Sequence, residues 1–162
     1  MTTHIASVSL WNAAFCETMI RAAEAVGFTW NSNCLRVSDI SPRLFEHIQA
    51  DVVGRIVPNV HELWPSFECN ALSNLLVTKQ VGTVGLTSPD HDGRERIGSV
   101  RLNTGYRGGN LVFASQNYHD GYEPVGELFV WSPKDIRHHG TEPVDHGVKY
   151  TVMMWFELPL LP

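Results

Sequence analysis

The sequence predicts an α+β fold, with helices bracing one face of an antiparallel β-sandwich or barrel. Three observations carry that reading. Apolar residues recur at helical spacing in the first third of the chain. From about Asn70 onward the texture changes to short segments rich in Val, Leu and aromatics, separated by Gly, Pro, Asn and Asp. The 162 residues hold no repeat, low-complexity tract or linker, which suits one domain, 1–162. A chain of that length buries about two-thirds of its unfolded surface. Residues 1–69 are expected to be mainly helical support and 70–162 the barrel core.

The first helix is expected within "SLWNAAFCETMIRAAEAVGF", where Leu10, Ala14, Met19, Ala22, Ala23 and Val26 fall at roughly helical spacing. Ser9 or Asn12 can cap its start, and Gly27 is a natural stop. A second helix is expected in "SPRLFEHIQADVVGRI", with Ser41 as N-cap and Pro42 at the first helical position. His47 reads as a surface histidine on that helix, and His61 falls in the connection after it. The strand candidates are "LSNLLVTKQVGTVGLTS", "IGSVRLN", "GGNLVFAS", "GELFVWSP" and "VKYTVMMWFEL". Of Trp11, Trp30, Trp64, Trp131 and Trp155, at least four read as core packing. The polar stretch "SQNYHDGYEP", with Tyr118, His119 and Tyr122, reads as a solvated loop or as a lid facing substrate.

The bulk properties exclude several partner classes. A formal net charge of −5 without a Lys/Arg stripe argues against nucleic acid and anionic membrane. No run of about 18 apolar residues occurs, so no transmembrane helix is expected. The start "MTTHIASVSLWNAAF" lacks a basic region and a cleavage site, which argues against a signal peptide. Cys16, Cys34 and Cys69 are odd in number, widely spaced and without a CxxC pair. They suit buried thiols in a reducing compartment, so the expected setting is cytoplasmic.

Metal-capable side chains concentrate in two places: Asp90, His91 and Asp92 in "SPDHDG", and His138 and His139 in "RHHG". Imidazole plus carboxylate with vacant positions suits a non-haem Fe(II). The mouth of a β-barrel is a place where ligands from different strands can aim at one point. Each cluster alone is weak, because a DHD turn is most often solvated and an HH pair is often on the surface.

The order of motifs adds to this. The chain shows "GGNLVF" at Gly108 to Phe113 and "GELFVW" at Gly126 to Trp131. It then has His139, Pro143, Val144, Gly147 and Lys149, followed by "MMWF". In these motifs, between about Asn70 and Glu157, it resembles the iron- and 2-oxoglutarate-dependent dioxygenases, prolyl 4-hydroxylase-like branch. The resemblance implies a double-stranded β-helix, a jelly-roll or cupin-like barrel, braced by the N-terminal helices. It implies Fe(II) as the metal and 2-oxoglutarate as cosubstrate, with His139 a metal ligand at the end of one strand. Lys149, on the next strand after the "PVDHG" turn, would neutralise the far carboxylate of the cosubstrate in a low-dielectric pocket. His138 alternates to the other face, and His146 sits in the turn.

One element departs from the family pattern of P-H-x-D-G. Aligning "PDHDG" with it puts Asp92 on the carboxylate ligand and Asp90, in place of a histidine, on the first ligand. Residues two apart share a strand face, which favours Asp90 with Asp92; a slip of one residue makes His91 the alternative to Asp90. Two aspartates and a dianionic cosubstrate outweigh a divalent cation, so Lys149 and a second base, Arg101 or Arg96, would have to offset them. More oxygen ligands also shift preference toward harder ions such as Mn(II).

The expected activity is therefore a 2-oxoglutarate-dependent oxygenase that hydroxylates a small molecule or a peptide side chain. The resemblance alone does not make peptidyl-proline the substrate. Two other readings stand beside it: a catalytically degenerate β-barrel that binds a ligand or partner, and a cupin-like metalloenzyme that does not use 2-oxoglutarate. Short loops such as "TGYRGG" leave an open mouth, which a second copy could complete in a homodimer.

Overall fold

Asn12 starts the first helix. In the computed structural model, which describes residues 5–28, 33–82, 86–87, 95–113, 118–119, 124–131, 139–157 and 159, its carboxamide oxygen accepts from Phe15 N at 2.8 Å. Helix α1 then runs Ala13–Val26 and stops at Gly27, whose φ of 94° suits a residue without a side chain. Asn12, not Ser9, is the cap, because Ser9 is already the last residue of a strand, β1 (Ile5–Ser9). Cys16, Met19 and Ala23 form the buried stripe.

A short strand β2 (Cys34–Arg36) and a helical turn α2 (Val37–Ile40) lead to α3 (Pro42–Asp51). Ser41 caps α3 and Pro42 opens it, as its sequence predicts. The helix does not end at residue 56. It widens into a π-helical turn, Val52–Ile56, and continues as α4 (Val57–Leu63). Pro58 cannot donate to Gly54, and a wider turn just before it relieves the crowding its ring would cause. His61 therefore lies on a helix, with Nδ1 3.0 Å from the Phe67 carbonyl.

The strand region contains β3 (Ala71–Val81), β4 (Leu86–Thr87), β5 (Glu95–Arg101), β6 (Arg107–Gly108), β7 (Leu111–Phe113), β8 (Tyr118–His119), β9 (Glu127–Trp131), β10 (His139–Thr141), β11 (Val144–His146) and β12 (Val148–Glu157). All their described pairings are antiparallel. The larger sheet has the order β1-β9-β5-β12-β3-β2, the smaller one β4-β10-β7-β8, and β11 and β6 form a separate ribbon. Strands β1 and β2 come from the segment expected to be mainly helical, and they edge the larger sheet on both sides. Tyr118 and His119 pair with Val112 and Phe113, so that stretch is partly strand rather than loop alone. Tyr122 and Trp30 lie outside the described residues.

Two cores follow from the two faces of the larger sheet. On the outer face Val152, Met154 and Phe156 of β12 pack with the helices, where Val52, Ile56 and Val60 are fully buried. On the inner face Ile97, Phe129 and Trp131 pack with Leu111 of the smaller sheet, and Met153 and Trp155 close over them. Trp64 and Trp131 are buried, and Trp11 and Trp155 pack against the cores. The three cysteines form no disulfide, and burial pushes the Cys16 thiol up to about 11. No helix among the described residues is long and apolar enough to cross a membrane.

The end of α1 is tied to the outer face by one cluster. Glu24 accepts from Lys79 Nζ at 2.6 Å and from the Tyr150 hydroxyl. The Lys79 ammonium also lies 5.5 Å from the Phe28 ring centroid and 5.8 Å from that of Tyr150. The Lys79 hydrogen bond, then that of Tyr150, holds the Glu24 carboxyl below its ordinary 4.5. A depressed carboxyl contributes stability above its unfolded value and loses it as pH falls through the folded one. Glu24→Gln is therefore expected to flatten the acid limb, measured as urea midpoints at about pH 6 and about pH 3.5. The effect is expected to be small because the pair is half exposed.

Candidate functional site

Strand β12 alternates between the two cores, and the alternation places Lys149 on the inner face. There it is only 5% exposed, an uncommon situation for a lysine. Its ammonium donates to the carbonyl of Gly109, which follows the β6 strand. Opposite Lys149 on β3 is Gln80, whose amide donates to the Glu142 carbonyl at 3.2 Å. One rung further, Thr151 is 7% exposed and shares a hydrogen bond with the Thr78 hydroxyl. Its neighbour on β5 is Arg101, whose guanidinium lies over the Tyr106 ring at 5.9 Å. Beyond these rungs come Met153 and Trp155. The inner face is thus polar and cationic at one end and apolar at the other.

The smaller sheet supplies the second element. β10 pairs with β7 so that His139 is opposite Phe113 and Thr141 opposite Leu111. Residues directly opposite share a face, and so do residues two apart. Leu111 is buried against Ile97, Phe129 and Trp131 of the larger sheet. The register puts position 139 in the strand next to that contact. Lys149 lies on the inner face of the larger sheet, and β10, which His139 opens, belongs to the sheet packed against that face through Leu111.

Several sequence expectations change in detail. His139 opens a strand, β10, rather than ending one, and β11 intervenes before β12. The chain needs that extra strand because β11 pairs with β6, bringing Gly108 against Val144. His146 ends β11 and is exposed. Arg96 is on the outer face, 5.3 Å from the Trp64 ring centroid, because it pairs with Phe156. Of the two bases expected to offset the acidic ligands, Arg101 shares the face of Lys149 and Arg96 does not. Asp90, His91, Asp92 and His138 lie outside the described residues. Among the described residues, no three His, Cys, Asp or Glu side chains gather in a way that could hold a metal. His47 is exposed on α3 beside a hollow of about 190 Å³ that also touches Trp11 and Asp51. That hollow lies on the helical side, behind the larger sheet.

The Lys149 end fits a carboxylate. A buried ammonium, with Gln80 directly opposite on β3 and the Thr78–Thr151 pair two residues along, offers a positive charge where water is displaced. The sequence pattern reached Lys149 but not its surroundings. The Gly109 carbonyl, Gln80 and Thr151 become neighbours only through the β3-β12 register and the β6-β11 ribbon.

No protein-family model matches the sequence, and no curated protein does. Solved structures do. A viral collagen prolyl hydroxylase from Paramecium bursaria chlorella virus 1, in a complex with 2OG, superposes with a TM-score of 0.69 at 17% identity, over 98% of this chain and 97% of that one. This chain has the fold of a prolyl 4-hydroxylase. A second such structure, from Pseudomonas putida, gives a TM-score of 0.64 at 14% identity, over 98% and 95% of the two chains. An oxidoreductase of the 2OG-Fe(II) oxygenase family from Burkholderia pseudomallei gives 0.53 at 14% identity, over 69% of this chain and 55% of that one. At these identities the likeness establishes the prolyl 4-hydroxylase fold and leaves the chemistry to the residues of this chain.

Proposed function

We propose that this chain is an Fe(II)- and 2-oxoglutarate-dependent oxygenase that hydroxylates a small molecule or a peptide side chain. The observation that carries the reading is the buried Lys149 ammonium on the inner face of the larger sheet. Solved neighbours of the same fold are 2OG-Fe(II) oxygenases, which supports the general activity. The two facing sheets are read as a double-stranded β-helix, with the helices backing the larger sheet.

In this reading His139 and Asp92 hold the iron with Asp90, or with His91 in its place, and Mn(II) could substitute because the set is rich in oxygen. Bound there with 2-oxoglutarate and O₂, the iron would supply the oxidant for a C–H bond, releasing succinate and CO₂. The rest is done by the chain. Lys149 would neutralise the distal carboxylate of the cosubstrate, which fixes the direction in which the diacid enters. Arg101 would add a second positive charge on the same face, offsetting the extra aspartate. Leu111, Phe129, Trp131 and Met153 would keep water from the middle of the space.

The test is conversion of 2-oxoglutarate to succinate by the purified chain with Fe(II) and oxygen. Iron-dependent succinate formation, even without a substrate, is the expected result. A purified chain that retains no metal and forms no succinate would make it a ligand-binding barrel instead. Turnover of a substrate that persists after 2-oxoglutarate is removed would point to a different metalloenzyme.

A further inference from the structure

We propose that Gly109 is a positioning residue for the cosubstrate: its carbonyl holds the Lys149 ammonium, and its lack of a side chain lets the lysine stem lie against the backbone. The inference rests on the reading that Lys149 receives a carboxylate of 2-oxoglutarate. Three observations carry it. The Lys149 ammonium donates to the Gly109 carbonyl in a buried setting. A Cβ at position 109 would lie 2.7 Å from Val144 Cγ2 and 3.1 Å from Lys149 Cδ, so a larger residue must displace one of them. The backbone there has φ +67°, which side-chain-bearing residues rarely adopt.

The carbonyl itself is held in place. Gly109 N donates to the Pro143 carbonyl at 2.9 Å, and Glu142 N donates to the Asn110 carbonyl at 2.9 Å. The Glu142 carbonyl in turn accepts from Gln80, the residue opposite Lys149. The lysine, the glycine, the 142–143 segment and Gln80 thus form a closed circuit around the ammonium. A flexible four-carbon stem would otherwise let the charge sample several positions. Bound to a rigid carbonyl, it meets an incoming carboxylate at a fixed depth, and less ordering remains to be done on binding.

The experiment compares Val144→Ala with the double variant Gly109→Ala/Val144→Ala, since trimming Val144 removes the nearest clash and keeps the contact with Lys149. Binding of 2-oxoglutarate to the Mn(II)-loaded chain is followed by tryptophan fluorescence, and Mn(II) binding is measured separately. The double variant is expected to bind 2-oxoglutarate about tenfold more weakly than Val144→Ala, with Mn(II) affinity unchanged. That split is what damage to the fold would not produce. Equal 2-oxoglutarate affinity in the two variants, or a parallel loss of Mn(II) and 2-oxoglutarate binding, would overturn the proposal. In the unaltered chain, slow exchange of the Lys149 ammonium protons with water is expected by NMR, and exchange at the rate of a surface lysine would also overturn it. If Lys149→Met binds 2-oxoglutarate as tightly as the unaltered chain, the parent reading fails and takes this one with it. A loss in Lys149→Met with none in the Gly109 pair sinks the glycine role alone.

Discussion

Lys149→Met is expected to weaken 2-oxoglutarate binding by about two orders of magnitude while leaving the fold intact. The size follows from removing one partner of a buried charge-assisted bond, which costs about 3 kcal/mol because the carboxylate is left without its cation. The fold should tolerate the change. Lys149 is 5% exposed, so its charge is largely desolvated before any ligand arrives. Methionine fills a similar volume without that penalty, which offsets the lost bond to the buried Gly109 carbonyl, so the melting temperature should change little. Lys149→Arg should recover part of the affinity, since it restores the charge with a different shape. The measurement is equilibrium binding alongside a thermal melt. Equal affinity in the unaltered chain and Lys149→Met would remove the lysine from the site.

Trp131→Ala is expected to be the most damaging single core change, at about 3–5 kcal/mol. For a chain of this length that corresponds to roughly 10 °C in Tm. Trp131 is fully buried on β9 and packs with Ile97, Phe129 and Leu111, the last from the smaller sheet. It therefore bridges the two sheets, and its loss leaves a cavity between them. The expected signature is a lower Tm together with weaker 2-oxoglutarate binding. Calorimetry showing a change below about 1 kcal/mol would mean the sheets are not held together at this seam.

What the sequence made legible follows the strength of local signals. Helix α1 was readable because Asn12, Met19 and Ala23 at helical spacing, and Gly27 agree with one another, although Val26, expected on the same face, is exposed. Strand β12 was readable because Val148, Tyr150, Thr151, Val152, Trp155 and Phe156 make most of its ten residues β-formers. β2, β6, β10 and β11 were not, since two or three residues carry no period and owe their conformation to partners distant in sequence. Strand β1 was hidden for another reason: "IASVSL" flows into the helical pattern, and only pairing with β9 separates the two.

At the candidate site, the motif pointed to Lys149 and His139 because their spacing is itself the signal. It could not choose between Arg96 and Arg101, which differ by five positions and hence by face; the β5-β12 register makes that choice. Nor could it reach the Gly109 carbonyl, since a backbone oxygen leaves no trace in a list of side chains.

The most direct test of the account is an anaerobic titration of 2-oxoglutarate into the Fe(II)-loaded chain, followed by its metal-to-ligand absorption band. The band should grow to one equivalent in the unaltered chain, fail to form in His139→Ala, and form in Lys149→Met only at far higher 2-oxoglutarate. A band indifferent to both substitutions would contradict the claim that these two residues serve one small-molecule site.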